Sequence, residues 1–172
     1  LDRLKQNLWN IRKQIGDRHL LCVVKADGYG HGATVIARAI AREPGVSFAV
    51  FVFEEALELR QAGITNEILI FSRLQKSWLE DAARLNLVVS ASAMGDLELL
   101  QDVQKRTGKC PRFHIKFDTG MTRLGFDLAD SDSVFGFLNA NKNMPVAGIY
   151  SHFATADEGD LSYAHTQLHA FQ

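Results

Sequence analysis

Arg112-Phe113-His114-Ile115-Lys116-Phe117-Asp118-Thr119-Gly120-Met121-Thr122-Arg123-Leu124-Gly125 is the stretch whose pattern decides between fold classes. Residues along a strand alternate between its two faces. Arg112, His114, Lys116 and Asp118 therefore share one face, and Phe113, Ile115 and Phe117 share the other. A parallel strand packed between two layers is expected to be apolar on both sides. A fully polar face has two explanations. Either the strand lies at an edge with that face in water, or the face points into a barrel, with Lys116 and Asp118 near its C-terminal mouth. In the second case Gly120 and Gly125 permit a tight loop that sets Arg123 beside an anionic oxygen. Arginine suits that task because its planar fork donates in fixed directions.

Outward from this stretch the chain alternates regularly. Strands are predicted over 20–24, 47–51, 67–71, 87–89, 113–117 and 146–150. Helices are predicted over 1–15, 34–42, 54–61, 77–84, 93–105, 131–139 and 161–171. The first helix has Leu1, Leu4, Leu8, Ile11 and Ile15 on one face and stops at Gly16, and Ser131 is placed to cap a later one. The run Leu20-Leu21-Cys22-Val23-Val24 reads as a strand buried on both faces. Such repetition implies an α/β fold with a parallel sheet and right-handed crossovers. No linker, low-complexity tract or internal repeat interrupts it. Alternation alone fits an open doubly wound sheet and a (β/α) barrel equally.

The strand ends discriminate further. In Val23-Val24-Lys25-Ala26-Asp27-Gly28-Tyr29-Gly30-His31-Gly32 a lysine follows a buried strand. Sites form at the C-terminal ends of parallel strands, and burial there frees an amine as nucleophile or base. A lysine reaching for solvent before a glycine-rich turn is the plain alternative. Gly28, Gly30 and Gly32 let backbone approach a ligand closely, but they match neither a phosphate loop nor a GxGxxG fingerprint. In Gly148-Ile149-Tyr150-Ser151-His152-Phe153-Ala154-Thr155-Ala156-Asp157-Glu158, His152 again falls just past a strand. Lys25, Arg123 and His152 can converge only if the sheet closes or curls, which favours a barrel.

Composition narrows the function classes. The chain has 172 residues, a formal net charge of -1, 47% hydrophobic and 23% charged residues. That is the composition of a soluble domain with one sizeable core. The balanced charge argues against nucleic-acid binding and against a polybasic membrane surface, and no apolar run approaches a membrane span of roughly 20 residues. No metal-ligand cluster stands out. Cys22 and Cys110 read as small buried hydrophobes. The chain opens on Leu1 and stops at Gln172 inside helical patterns, so both ends read as cut from something longer. Cytoplasmic residence is the default expectation, since a missing N-terminus could carry a signal or membrane segment.

These motifs resemble those of the alanine racemase family. Val-Val-Lys-Ala-Asp-Gly-Tyr-Gly-His-Gly at 23–32 is similar to that family's cofactor-lysine motif, with Asp27 standing where many members have Asn. The stretches at 114–125 and 151–158 are similar to two further motifs in the same order, and 54–64 to the second barrel helix. The resemblance implies a TIM-type (β/α)8 barrel of which residues 1–172 hold about the first six units. It further implies a C-terminal β domain beyond them, and a homodimer in the full-length protein. It implies pyridoxal 5′-phosphate as cofactor and interconversion of L- and D-alanine, with D-alanine supplying cell-wall peptidoglycan.

Residue by residue, the resemblance implies that Lys25 carries the cofactor and serves as one of two acid/base groups. It implies that Tyr29 contacts the cofactor phosphate, that Arg123 bonds the phenolic oxygen and faces substrate, and that His152 lies against the pyridine ring. Met121 would offer its backbone N–H to the substrate carboxylate, and Lys116 matches a lysine carbamylated in many members. The second acid/base group, a tyrosine of the partner subunit, and most of the phosphate site lie outside this chain, so residues 1–172 alone are expected not to racemise alanine. A racemase for serine or of broad specificity, a related barrel decarboxylase, and a non-catalytic barrel protein that binds pyridoxal phosphate are the alternatives.

Overall fold

The computed structural model describes residues 1–172. Two compact units make up the chain, one of Leu1–Ser72 with Leu85–Leu87 and one of Arg73–Arg84 with Val88–Gln172.

The first unit runs α1 (Asp2–Ile15), β1 (Leu20–Val23), α2 (Lys25–Gly30), α3 (Ala33–Ile40), β2 (Val46–Val50), α4 (Phe53–Gln61) and β3 (Ile68–Ile70). β2 pairs in parallel with β1, Leu20 opposite Val46, and with β3, Phe48 opposite Ile68. Every residue of β2 and β3 is buried, as the apolar run Ile68-Leu69-Ile70 requires, and the one polar residue among them, Ser47, has its hydroxyl 3.1 Å from His19 Nε2. Ala37 and Ile40 of α3 and Ala56 and Leu59 of α4 belong to the same core. Arg60 closes the far end of these elements. Its guanidinium donates to the carbonyls of Leu85, Ile64, Asn66 and Asn86 at 2.7–2.9 Å.

One expectation needs correcting in this unit, and the cover of α1 is limited. β1 is only half-buried, with Val23 exposed, because it stands at the end of the strand order and pairs with β2 alone. α1 buries only Leu8 of its five-residue apolar stripe, and Ile11 remains 45% exposed. A helix face is buried only as far as a neighbour covers it, and here that cover is full at Leu8 and partial at Leu4 and Ile15.

The second unit runs α5 (Lys76–Arg84), β4 (Val88–Ala91), α6 (Met94–Thr107), β5 (Arg112–Asp118), β6 (Phe126–Asp127), α7 (Ser131–Ala140), β7 (Val146–Tyr150) and α8 (Ser162–Phe171). β5 is central: β4, β6 and β7 all pair with it in parallel. The edge-strand explanation of its polar face is thereby excluded. Phe113, Ile115 and Phe117 are buried on one side, and Lys116 on the other is only 6% exposed. The β5–β7 register shifts between Phe113 and His114. Gly148 makes room there, since a Cβ at that position would stand 3.1 Å from the His114 ring.

The two-residue β6 is a seventh strand that the six-strand reading omits. Ser131 is not the cap of α7. A 3-10 turn (Leu128–Asp130) precedes that helix, capped by Asp127, whose carboxylate accepts from the Ala129 N–H at 2.9 Å, while the N-cap position of α7 is Asp130, without a side-chain bond. α6 is capped by buried Asp96, which accepts from the N–H groups of Ser92 and Ala93. No helix is long and apolar enough to cross a membrane.

Candidate active site

Lys25 lies two residues beyond β1, half-buried, at the start of a turn that winds the wrong way. Ala26, Asp27, Gly28 and Tyr29 all adopt left-handed conformations, with φ between 50° and 63°. Such backbone costs an L-residue roughly 1–2 kcal/mol, so three non-glycine residues among these four require external support. That support is visible. Gly28 N–H donates to the Val24 carbonyl at 2.9 Å, and Gly32 N–H to the Asp27 carbonyl at 2.9 Å. The Asp27 carboxylate accepts from Ala33 N–H at 2.8 Å, tying the turn to the start of α3. Glu55, at the start of α4, accepts from Ala26 N–H through Oε1 and from Phe51 and Val52 N–H through Oε2. The residue next to Lys25 is thus fixed from another element.

Of the three glycines, Gly28 has a specific steric reason. A Cβ there would lie 2.7 Å from Ile36 Cδ1 and 3.2 Å from Ala33 N. The close approach it permits is to α3 rather than to a ligand. Tyr29 is 62% exposed, and the Lys25 ammonium stands 6.0 Å from its ring centre.

In the second unit the loop after β5 is organised by Asp118. Its carboxylate accepts from the N–H groups of Gly120 at 2.8 Å, Thr122 at 3.0 Å and Arg123 at 3.1 Å. Burial works against its charge, but the N–H groups of Thr122, Gly120, Arg123 and Met121 outweigh burial and hold the carboxyl below its ordinary value. The loop needs Gly125, where a Cβ would meet Asp118 N at 2.6 Å and φ is 135°. Arg123 emerges from this loop with its side chain exposed.

His152 lies two residues past β7, exposed, beside a Thr119–Ser151 hydroxyl pair at 2.8 Å. Near it is a polar layer in which Ser90 and Lys116 are buried and Tyr150 and His114 half-buried. The Tyr150 hydroxyl and Ser90 Oγ are 2.9 Å apart, the Lys116 ammonium is 5.8 Å from the Tyr150 ring centre, and His114 meets that ring edge-on. Burial pushes the Tyr150 phenol up to about 12, with the Ser90 bond pulling the other way. Lys25 and Tyr29 are therefore gathered in one unit, and Lys116, Met121, Arg123 and His152 in the other. The sequence reading missed Glu55 as anything beyond an acidic helix start, and missed Tyr163 and Gln167 of α8 entirely.

The family described as alanine racemase, N-terminal domain, matches residues 1–172. The chain belongs to this family. Alanine racemase 2 of Caldanaerobacter subterraneus subsp. tengcongensis is 39% identical over 99% of the chain and 45% of its own length. The solved alanine racemase of Streptomyces lavendulae shares 35% identity, with a TM-score of 0.89, over 99% of the chain and 45% of its own. The histidine racemase of Leuconostoc mesenteroides subsp. sake shares the fold alone, at 24% identity and a TM-score of 0.90, over 98% of this chain and 46% of its own. The chain spans a little under half the length of the relatives it matches. Within the alanine racemase family, then, these residues form an α/β parallel array of the N-terminal domain type.

Proposed function

We propose that the protein carrying this chain is a pyridoxal 5′-phosphate-dependent racemase that interconverts L- and D-alanine, yielding D-alanine for peptidoglycan. Residues 1–172 would form part of its barrel domain, and the full-length protein would act as a homodimer. The observation that carries this reading is the position of three residues in a family-matched α/β fold. Lys25 and His152 each lie two residues past a parallel strand and Arg123 lies in the loop after β5, at strand ends where such folds build sites.

The residues present fit the cofactor's chemistry. The Lys25 amine is half-buried on a turn held at both ends, so it can be attached without losing its position. When bound, the cofactor supplies a conjugated ring that accepts the electron pair left on Cα as its proton departs. Lys25 would move that proton at Nζ on one face of the substrate. Arg123 would donate to the anionic ring oxygen and to the substrate carboxylate, to which Met121 would offer its backbone N–H. Tyr29 would donate its exposed hydroxyl to phosphate, and the His152 ring would lie along the pyridine. Racemisation needs a proton donor on the opposite face as well, because a single group tends to restore the starting enantiomer. The family resemblance supplies that group as a tyrosine from the partner subunit.

Lys116 is the candidate for carbamylation. Its neutral amine would add to carbon dioxide with loss of a proton, leaving a carbamate that can help position Arg123.

The test uses the full-length protein loaded with cofactor in deuterium oxide. L-alanine is expected to gain deuterium at Cα and to yield D-alanine, and Lys25→Ala to abolish both while far-ultraviolet circular dichroism is unchanged. Borohydride reduction followed by peptide mapping should leave the pyridoxyl group on the peptide containing Lys25. Retained exchange in Lys25→Ala, or a label elsewhere, overturns the reading. Faster turnover of L-serine than of L-alanine would reassign the substrate.

A further inference from the structure

Gln167 is 1% exposed on a helix that otherwise buries nothing. Its amide spans two loops. Oε1 accepts from Ala154 N–H at 2.8 Å, and Nε2 donates to the His152 carbonyl at 3.1 Å and to Thr119 Oγ1 at 3.2 Å. Thr119 Oγ1 in turn pairs with Ser151 Oγ at 2.8 Å. One turn earlier on the same face of α8, the Tyr163 hydroxyl donates to the Gly120 carbonyl at 2.9 Å. That contact is close enough that a Cβ at Gly120 would lie 2.2 Å from the Tyr163 oxygen.

A buried amide is costly unless its donors and acceptor are all used, and here both N–H groups and the oxygen are. The partners also fix which group can serve. A backbone N–H only donates, so position 167 must accept from Ala154. A backbone carbonyl only accepts, so position 167 must donate to His152. A carboxylate cannot do the second and an ammonium cannot do the first. If packing were all that α8 required here, leucine or methionine would fill the space without the cost of desolvation. The loops held are the one that presents His152 and the one in which Asp118 gathers the N–H groups of Gly120, Thr122 and Arg123.

We propose that Gln167 is a positioning residue: α8 straps the loop after β7 to the loop after β5, and Gln167 sets the placement of His152 and Arg123 against the cofactor. The inference rests on the reading of those two side chains as cofactor contacts. Its mechanical part, the coupling of the two loops, does not.

The experiment therefore has an arm free of cofactor. Amide hydrogen exchange is measured in the full-length apo protein and in Gln167→Met, Gln167→Glu and Tyr163→Phe. Loss of the strap should speed exchange at Gly120, Thr122 and Arg123 about tenfold or more in Gln167→Met. None of these amides is bonded to Gln167 itself. Ile115, in the centre of β5, should be unchanged. Gln167→Glu keeps the acceptor and loses the donors, so it should behave like Gln167→Met. Tyr163→Phe sits on a partly exposed side chain and should loosen the Gly120 loop while leaving Ala154 protected. In the holoenzyme, the visible circular dichroism of the bound cofactor should change, and its release to a scavenger should quicken about tenfold. Unchanged exchange at 120–123, or a uniform acceleration that includes Ile115, overturns the strap. Loosened loops with unaltered cofactor circular dichroism and release overturn the positioning role. A wild-type protein that fails to hold cofactor at Lys25 would instead overturn the proposed function and leave the loop coupling to be judged by exchange.

Discussion

The Glu55 carboxylate accepts the backbone N–H of Ala26 from 29 residues away, beside the lysine that the family motif singles out. Its other oxygen accepts from Phe51 at 2.8 Å and Val52 at 3.1 Å. One side chain thus starts α4 and pins a left-handed turn. Glu55→Gln keeps one acceptor oxygen and loses the charge and one set of bonds. A loss of about 1–3 kcal/mol is expected in urea unfolding, with faster amide exchange at Ala26. If Glu55 served only the helix, exchange at Ala26 would match wild type.

Arg60 is a structural cation whose partners are carbonyls rather than carboxylates. Burial lowers its pKa from the ordinary arginine value. Arg60→Met leaves four carbonyls without that donor and should cost about 3 kcal/mol. Arg60→Lys should recover only part of this, since an ammonium cannot reproduce the fork. Equal stability of the lysine variant and wild type would refute the geometric account.

Asp118 predicts a pH dependence of definite sign. Its folded pKa lies below the ordinary value of about 3.9, so its contribution to stability is fully present above that value. The contribution declines as pH falls through the folded pKa. The stability difference between wild type and Asp118→Asn, taken from urea midpoints across the acidic range, should be constant above about pH 5 and shrink below about 4. A difference that grows on acidification would contradict the direction of the shift.

Both cysteines should be slow toward thiol reagents near pH 8. Burial raises the Cys22 thiol, with the Arg12 charge pulling the other way, and pushes Cys110 up to about 12. The thiolate is the reactive species, so both are expected to label slowly while folded and quickly in denaturant, Cys110 being the slower. Labelling of folded Cys110 at the rate of a free thiol would contradict its burial.

Much of the architecture was legible because it rests on periodicity. The apolar run of β3 and the alternation in β5 reproduce what the residues imply about burial. The left-handed turn was not legible. Ala26, Asp27 and Tyr29 have no local preference for it, and it exists because Val24, Glu55 and the start of α3 hold it. Gln167 was hidden for a similar reason. A single polar residue on an exposed helix carries no signal until loops at 119 and 152–154 are brought beneath it. The extent of burial along the α1 stripe was likewise not legible, since amphipathicity states which face can be buried and not how much of it a neighbour covers.

β5 offers its own internal control. Phe113, Ile115 and Phe117 point one way into the core, while His114 and Lys116 face the Tyr150 ring on the other side and Asp118 holds the loop that follows. Neighbouring codons in this strand therefore answer different questions. Changes at the odd positions will register in unfolding free energy. Changes at the even positions will also register in loop order and chemistry. A scan of seven consecutive residues could then separate the determinants of folding from those of activity within one strand.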